Sequence, residues 1–330
     1  MSDRVLIIGA AGFIGLHLAR RFFKEGYEVD LVDNFARGTH DLDFKKVIQE
    51  PHANFFSFDC VDLENFKSLP VNYSYIFNLA AIVGVANVIR QPYRVLVDNL
   101  KIMDNVISFA RKQKNLKRFL YPSTSEVTAG TLKNFGLIIP TPENTPLTIT
   151  ELNSPRTSYM LSKINGELMT QFSDIPYTIF RPHNIYGPRM GDDHVIPGQL
   201  KKAFFAKDGE SVFVPSVNHT RCFCYIDDAI EQLMRIIKEP LTEKETLNLG
   251  TESPEVTILK VSEICHATVG RKVLIKTKPD TIGSPQRRAP SMIKTNSLIK
   301  YSSQINLEEG ILRTYKWYYE NIFNNPKIFS

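Results

Sequence analysis

Tyr159 and Lys163 are the two residues whose types and spacing most clearly point to chemistry. Residues four apart on a helix lie one turn apart on the same face, so the phenol and the ammonium are expected to face the same way. A phenol with its ordinary pKa of about 10 is a poor base at neutral pH, but a neighbouring ammonium favours the phenolate. The pair therefore predicts a site where Tyr159 accepts a hydroxyl proton while the carbon bearing that hydroxyl is oxidised.

A hydroxyl-rich segment follows a predicted strand and contains Thr124, Ser125 and Glu126. The carboxyl end of a central strand is where open α/β sheets bind ligands. A hydroxyl from Thr124 or Ser125 could bond the reacting oxygen and orient it. The alternative is a polar turn at the strand end without a chemical role.

The glycines near the start of the chain predict a dinucleotide site. Gly9 permits a tight turn after the first strand, Gly12 lets the backbone approach a pyrophosphate, and Gly15 lets helix and strand pack closely. The helix that begins there offers unpaired N–H groups and a partial positive charge to the phosphates. The alternative is a turn with a structural role only.

Acidic residues after the second and third strands indicate which dinucleotide binds. Asp33 ends the second strand, where a carboxylate accepts hydrogen bonds from a ribose 2′-hydroxyl and repels a 2′-phosphate, which favours NAD over NADP. Arg37 stands against this, since a nearby cation could accommodate a 2′-phosphate. Asp59 could bind the adenine amino group or cap the next helix.

Short apolar segments alternate with helical patterns over the first two thirds of the chain, which predicts a parallel sheet with right-handed crossovers. Predicted strands cover residues 5–8, 28–32, 54–58, 75–79, 118–121, 177–180 and 246–249. Predicted helices run from Gly12 to near Gly26, over 94–112 and over 159–171. Residues 130–158, rich in proline, are predicted to form one long loop.

We therefore expect an α/β protein with a Rossmann-type, doubly wound parallel sheet and a smaller C-terminal α/β lobe for substrate. Residues 1–180, with about 221–250, are assigned to the dinucleotide-binding domain. Residues 181–220 and 251–330 are assigned to the smaller lobe, because glycine and proline divide this part of the chain into short pieces.

Composition excludes several other classes of protein. The 40 Lys+Arg against 35 Asp+Glu give a net charge of +5, and the basic residues are dispersed, so no nucleic-acid surface is expected. No apolar run reaches the roughly 20 residues of a membrane span. With four cysteines and no secretory signal, a reducing cytoplasm is predicted. Cys222 and Cys224 alternate along one predicted strand, but only His219 lies nearby, so no metal site is expected.

Together these motifs resemble the extended short-chain dehydrogenase/reductase family, in its nucleotide-sugar epimerase, dehydratase and decarboxylase branch. The resemblance covers nearly the whole chain. Its further matches are Asn78-Leu79-Ala80-Ala81, Asn99, Gly166-Glu167, the run from Arg181 to Arg189, the run from Arg221 to Asp228, Asn248-Leu249-Gly250 and Arg287-Arg288-Ala289-Pro290.

The resemblance implies NAD as cofactor and a nucleotide-diphosphate sugar as substrate. The implied NAD contacts are Gly9, Gly12, Phe13, Ile14, Gly15, Asp33, Asn34, Arg37, Gly38, Asp59, Cys60, Leu79, Ala80, Ala81, Asn99, Tyr159 and Lys163. The implied substrate contacts are Val83, Thr124, Asn184, Arg189, Leu200, Phe213, Arg221 and Arg287. Among these, Asn184, Arg221 and Arg287 would bind the diphosphate, and Phe213 would lie against the base. A homodimer through a four-helix bundle of the two long helices is also implied.

The chain departs from the family pattern near the sugar. Asn78 stands where the family often has histidine, and Thr128-Ala129 replaces the usual Tyr-Gly. The predicted loop over 130–158 is also unusual. These departures weaken any transfer of a substrate from the family.

Members of this branch begin by oxidising the sugar at C4, and they differ in the fate of the 4-keto sugar. The sequence favours 4-epimerisation, with decarboxylation of a UDP-glucuronate-type substrate and release of the 4-keto sugar as alternatives. A 4,6-dehydratase typically has Asp-Glu after the catalytic threonine, and here Ser125-Glu126 follows Thr124, so dehydration lacks its acid. A non-catalytic NAD-sensing regulator is a remote alternative, since it should lack the Tyr–Lys pair.

Overall fold

The computed structural model describes residues 3–281 and 284–324; the remainder of the predicted C-terminal lobe lies outside these ranges. The strands are β1 (Arg4–Ile8), β2 (Glu28–Val32), β3 (Ala53–Phe56), β4 (Tyr75–Asn78), β5 (Arg118–Pro122), β6 (Tyr177–Pro182), β7 (Ile185–Tyr186), β8 (Ser211–Pro215), β9 (Thr220–Cys222), β10 (Cys224–Tyr225), β11 (Glu245–Leu249), β12 (Glu255–Thr257), β13 (Leu274–Lys278) and β14 (Arg287–Arg288).

The helices are α1 (Phe13–Lys24), α2 (Leu42–Val47), α3 (Val85–Arg90), α4 (Pro92–Ala110), α5 (Ala129–Phe135), α6 (Pro155–Gln171), α7 (Val195–Phe205), α8 (Ile226–Lys238), α9 (Ile258–Val269), α10 (Ile293–Ile299) and α11 (Leu307–Tyr318). Short helical turns cover Leu63–Ser68, Ser125–Thr128 and Pro240–Thr242, and Tyr319–Phe323 forms a π-helical turn after α11.

A seven-stranded parallel sheet in the order β3-β2-β1-β4-β5-β6-β11 forms the centre of the structure. The chain winds outward from β1 in one direction and from β4 in the other, which confirms the predicted doubly wound sheet. Val5 and Ile7 on β1 face one apolar core, and Leu6 and Ile8 face the other. Helices cover both faces, which explains why the strands are apolar throughout.

The strands after β6, apart from β11, form three small sheets, β10-β7, β12-β9-β14 and β13-β8, outside the large sheet. The C-terminal helix α11 packs back on the first half of the chain, where the Trp317 indole N–H donates to Asp43 at 2.7 Å. The division of the chain into two lobes with the predicted boundaries stays a prediction.

The predicted loop over 130–158 was wrong in part. Its first residues continue α5, and α6 begins at Pro155, four residues before Tyr159. The intervening segment crosses α5 so closely that a Cβ at Gly130 would lie 1.8 Å from the Thr148 carbonyl oxygen, which only glycine permits. Its Thr141 N–H donates to the Ala289 carbonyl at 2.8 Å. Hydrogen bonds therefore tie the segment to α5 and to the C-terminal part of the chain.

The single strand predicted to carry Cys222 and Cys224 was also wrong. Cys222 ends β9, which pairs with β12 and β14, whereas Cys224 begins β10, which pairs with β7. Phe223 interrupts the strand between them. Within the described ranges, no group of three or more residues of metal-binding type is found, and no helix there is long and apolar enough to cross a bilayer.

Candidate active site

The glycine loop between β1 and α1 leaves no room for side chains at its glycine positions. Gly9 has φ +84°, and a Cβ there would lie 2.8 Å from the Ala80 nitrogen after β4. A Cβ at Gly15 would lie 2.4 Å from the Gly9 carbonyl oxygen. The N–H groups of residues 9–12 are already bonded within the protein. Gly12 precedes the first turn of α1, whose N–H groups have no side-chain cap, so it is these N–H groups that fit a pyrophosphate.

Asp33 joins the end of β2 to this loop. Its carboxylate accepts hydrogen bonds from the Ala11 N–H at 2.9 Å and the Phe35 N–H at 2.8 Å. Burial raises the pKa of Asp33, and these two N–H donors oppose the rise. A Cβ at Gly38 would lie 2.9 Å from the same carboxylate, so the segment after β2 folds over it. The predicted bond from Asp33 to the ribose stays a prediction.

Three other predicted NAD contacts lie at the same edge of the sheet. Asn34 is exposed and accepts from the Ala36 N–H at 3.0 Å. Asp59 is exposed and accepts from the Val61 N–H at 3.0 Å, and the next helical turn is capped by Asp62 instead. The alternative role of Asp59 as a helix cap was therefore wrong. Cys60 is buried, which raises the pKa of its thiol to about 12.

Asn99 on α4 acts through its neighbours. Its side chain accepts from the Ile82 N–H at 2.7 Å, and it donates to the Ile82 carbonyl at 3.1 Å and to the Ser162 hydroxyl at 3.2 Å. It thereby fixes the segment from Leu79 to Val83, which follows β4, against α6. Ser162 adjoins Lys163 on α6. Asn99 therefore positions both the segment after β4 and the part of α6 that carries Lys163.

Tyr159 and Lys163 lie on one face of α6, beside the carboxyl end of β5. The Lys163 ammonium donates to the Pro122 carbonyl at 2.8 Å and lies 6.0 Å from the centre of the Tyr159 ring. Lys163 is only 5% exposed, and burial lowers its pKa to about 8, with Glu167 opposing. The structure therefore brings the predicted phenol and ammonium together.

The charge state of the Tyr159 phenol is governed by its surroundings. Burial raises its pKa and the Glu126 carboxylate adds to the rise, whereas a hydrogen bond with the Thr124 hydroxyl and the charge of Arg37 lower it. Arg37 therefore lies close enough to Tyr159 to affect the phenol, not only beside the predicted adenosine ribose. The phenolate would need the further help of a cationic nicotinamide.

The segment after β5 brings the three predicted polar residues into one turn. The Thr124 hydroxyl accepts from the Glu126 N–H at 3.2 Å and so begins the turn. Ser125 is buried, and its carbonyl accepts from the Thr128 hydroxyl at 3.0 Å. The Glu126 carboxylate accepts from Arg156 on α6 at 3.2 Å.

Arg288, rather than the predicted Arg287, interacts electrostatically with the segment after β5. The Arg287 side chain is 56% exposed and bonds Glu255 at 3.0 and 2.7 Å. Arg288 is partly buried, which lowers its pKa, with Glu126 opposing and Arg156 adding to the fall. Neighbouring residues of a strand point to opposite faces of the sheet. The register of β14 was therefore the signal that could have distinguished Arg287 from Arg288.

The other predicted nucleotide contacts lie on strands of the small sheets and beside them. The Asn184 amide donates to the Cys222 carbonyl at 3.1 Å. Arg221 donates to the Thr220 carbonyl at 2.7 Å, and burial lowers its pKa to about 10. Phe213 is 46% exposed, with the Lys278 ammonium 5.5 Å from its ring centre.

Two predicted substrate contacts have different surroundings. The Leu200 side chain is fully buried in the apolar core and has no surface to offer a ligand. The Arg189 guanidinium is bound to Asp41, Thr39 and the glycine loop rather than to the nucleotide-sugar side. Neither the burial of Leu200 nor the binding of Arg189 to the glycine loop could be predicted from sequence. Both depend on contacts between segments that are distant in the chain.

Comparison with protein families agrees with this geometry. The model of the NAD dependent epimerase/dehydratase family matches residues 5–250. The chain belongs to this family. NAD is therefore its cofactor, as predicted from the glycine loop and Asp33.

Similar proteins cover the chain almost from end to end. It is 29% identical to the UDP-N-acetyl-alpha-D-glucosaminuronate decarboxylase of Bacillus cytotoxicus, over 97% of this chain and 99% of that protein. It is 27% identical to UDP-glucuronic acid decarboxylase 1 of Danio rerio, over 96% of this chain and 72% of that protein.

Solved structures share the fold. An epimerase of Methanothermobacter thermautotrophicus has a TM-score of 0.82 at 24% identity, covering 97% of this chain and 93% of that one. A UDP-glucose 4-epimerase of Thermotoga maritima has a TM-score of 0.80 at 23% identity, covering 97% and 100%. The chain is thus a nucleotide-sugar enzyme of the epimerase, dehydratase and decarboxylase type.

Asp33→Asn tests the ribose contact by removing the carboxylate charge, and it keeps one of the two oxygens that accept from the Ala11 and Phe35 N–H groups. We expect weaker NAD binding and a clear loss of discrimination against NADP, because the charge that repels a 2′-phosphate is removed. Calorimetric titration with both dinucleotides measures this. Asp59→Asn, at the end of the neighbouring strand, is the matched control. An unchanged NAD-to-NADP ratio in Asp33→Asn would refute the contact.

Lys163 predicts a pH dependence of NAD binding. Its pKa in the protein without NAD is about 8, so the ammonium that would donate to the cofactor is present below this pH and is lost above it. If only the ammonium form binds, the dissociation constant rises by up to about tenfold per pH unit above that pKa. Calorimetry across this range, with Lys163→Met as the control that should bind weakly at every pH, measures the effect. A wild-type profile as flat as that of the variant would contradict it.

Proposed function

We propose that this protein is a decarboxylase of a nucleoside diphosphate-linked hexuronic acid, which it first oxidises at C4. The observation that carries the proposal is the partly buried charge of Arg288, which interacts electrostatically with Arg156 and with Glu126 in the turn that follows Thr124. Arg156 and Arg288 carry two positive charges and Glu126 carries one negative charge, so the net charge is positive where the sugar would lie. Within the described ranges, no protein acceptor for the Arg288 guanidinium is found. A substrate carboxylate suits such a guanidinium.

The residues at the end of β5 support oxidation at C4. Tyr159 takes the proton of the C4 hydroxyl, and the Thr124 hydroxyl orients that oxygen. When bound in the glycine loop, NAD would supply the hydride acceptor for this oxidation and the hydride for the final reduction at C4. Lys163 favours the phenolate and holds the cofactor ribose.

Decarboxylation follows from the chemistry of the oxidised sugar. A C4 ketone lies β to the C6 carboxylate, so the electrons of the breaking C5–C6 bond move onto the C4 oxygen as carbon dioxide leaves. A proton then adds at C5. No acid is needed at a leaving hydroxyl, which agrees with Ser125 in the position where dehydratases typically have aspartate.

The relatives support this choice over the 4-epimerisation that the sequence alone favoured. Decarboxylases of UDP-linked uronic acids align with this chain over nearly its full length. The 4-epimerase structure is less than 25% identical to this chain, so its similarity is evidence for the fold alone. Epimerisation also requires the 4-keto sugar to turn over in the site, which decarboxylation does not.

The nucleotide is proposed to lie between the large sheet and the small ones. Asn184 and Arg221 would bind the diphosphate, and the exposed ring of Phe213 would stack on the base. Val83 would border the sugar from the opposite side of the crevice.

A homodimer through α4 and α6 is proposed as well. The two helices pack side by side, and they leave apolar side chains exposed at or just after their ends: Tyr93 is 78% exposed, Leu168 45% and Phe172 76%. Leu168 and Phe172 lie one turn apart at the end of α6 and leave apolar surface in water, which supports a second copy covering them.

The reaction is tested with UDP-glucuronate labelled at C6 and, separately, with its 2-acetamido counterpart. We expect labelled carbon dioxide and a nucleotide pentose by NMR and mass spectrometry, without net formation of NADH. A six-carbon product inverted at C4 would instead indicate an epimerase. Accumulation of NADH with a 4-keto sugar would indicate a dehydrogenase, and either result would overturn the proposal.

Arg288→Met and Arg287→Met provide the matched pair for the same assay. Loss of one charge-assisted contact of about 1.5–3 kcal/mol lowers kcat/KM about tenfold or more. We expect that loss in Arg288→Met, while Arg287→Met tests the residue that the sequence favoured. A larger loss in Arg287→Met would contradict the assignment of the carboxylate to Arg288.

The dimer is tested by sedimentation velocity. Leu168→Glu should shift the protein to monomers, because a charge on each copy would be buried at the interface. Leu241→Glu is the control, since Leu241 is 70% exposed and lies in the helical turn Pro240–Thr242, which packs against α8. A wild-type monomer, or a dimer unaffected by Leu168→Glu, would refute the proposed interface.

A further inference from the structure

Arg189 connects the nucleotide-sugar side of the protein to the NAD loop. Its side chain is 5% exposed. The guanidinium donates to the Ala11 carbonyl at 2.7 Å, to the Thr39 carbonyl at 2.6 Å and to the Asp41 carboxylate at 2.6 Å. All three partners lie on the two segments that carry the predicted pyrophosphate and adenosine contacts.

The turn that carries Arg189 is locked in place. Arg189 has φ 69°, a conformation that costs a non-glycine residue energy unless its surroundings impose it. A Cβ at Gly187 would lie 2.5 Å from the Ile226 side chain, so the turn packs directly on α8. The Pro188 carbonyl lies 3.1 Å from the His17 Nε2 on α1. Burial lowers the pKa of His17 to about 4, so at neutral pH its neutral ring donates this bond.

The other end of the same turn reaches the proposed diphosphate contacts. Asn184 lies five residues before Arg189, and its amide donates to the carbonyl of Cys222, the neighbour of Arg221. The intervening strand β7 pairs with β10. A short segment fixed at both ends therefore joins the pyrophosphate loop to the nucleotide-sugar side.

Arg189 also acts on the donors that would face the pyrophosphate. Its guanidinium lies 3.3 Å from the Gly12 carbonyl oxygen, and the N–H of that peptide unit belongs to Phe13, the first residue of α1. A cation at the carbonyl end of a peptide polarises its N–H and strengthens the bond to an anion.

We propose that Arg189 is a positioning residue that couples NAD binding to nucleotide binding. Because the segment is fixed at both ends, a bound pyrophosphate that sets the position of the glycine loop also sets the position of the turn, so the nucleoside diphosphate needs less rearrangement when it binds. The coupling is reciprocal, since each ligand must favour the other by the same factor. The nucleotide part of the inference rests on the proposed function; the NAD part does not.

Calorimetric titration with UDP, with and without saturating NAD, tests the coupling on the full chain stripped of bound nucleotide. In the wild type we expect NAD to tighten UDP binding at least about fivefold, the lower end of ordinary coupling between sites. Arg189→Met should weaken NAD about tenfold or more and bring the UDP coupling factor close to one. Arg189→Lys, which keeps the charge but cannot bond all the acceptors at once, should fall between the two.

Arg20→Met is the matched control. Arg20 on α1 bonds Asp43 on α2 at 2.7 Å, so it is another ion pair of the same region, but it touches neither the turn nor the glycine loop. We expect wild-type NAD affinity and wild-type coupling in this variant. Comparable losses in Arg20→Met would assign the effect to general loosening of the region.

Three outcomes would overturn the proposal. They are wild-type NAD affinity in Arg189→Met, an unchanged coupling factor in that variant, and a coupling factor of one in the wild type. If Arg189→Met lacks a cooperative thermal transition, Arg189→Lys decides by the same criteria. Failure of the wild type to bind UDP, TDP, CDP or GDP would refute the proposed function together with the coupling, and the NAD titrations alone would then decide the role of Arg189.

Discussion

The buried ammonium of Lys163 is the constraint on which the candidate site depends. A charge that is 5% exposed is costly to hold in a protein unless partners surround it. Here it has the Pro122 carbonyl at 2.8 Å and the Tyr121 ring at 5.1 Å. An ammonium has three donors, and the described residues supply one acceptor. The two ribose hydroxyls of a bound dinucleotide would meet the remaining demand, so burial of the lysine also prepares the cofactor site.

Glu167, one turn further along α6, links that ammonium to the sheet. It opposes the fall in the pKa of Lys163, and its carboxylate accepts from Arg181 on β6 at 2.9 and 2.8 Å. Arg181 also donates to the Glu143 carbonyl at 2.9 Å. Losing either partner of a buried pair leaves an uncompensated charge, so the register of α6 on β6 is strongly determined. The same pair therefore sets the position of Tyr159 and holds the segment before α6.

The sequence predicted the large sheet well and the small sheets poorly, for a physical reason. Strands covered on both faces are continuous apolar runs, and all seven were predicted to within two residues of their observed ends. Strands of two or three residues, such as β9 and β14, contain no periodicity to detect. Motifs found Tyr159 and Lys163 because a helix fixes their spacing. The choice of Arg287 over Arg288 depended on strand register, and the contacts of Arg189 depended on pairing between segments 148 or more residues apart.

In the proposed reaction, the outcome depends on the group at C5 of the sugar rather than on the oxidising pair. Tyr159, Lys163 and Thr124 would make the same C4 ketone in any enzyme of the family. The proposed role of Arg288 is to bind a carboxylate next to the turn that holds Glu126. A carboxylate β to the C4 ketone can leave as carbon dioxide, a route that a neutral hexose lacks.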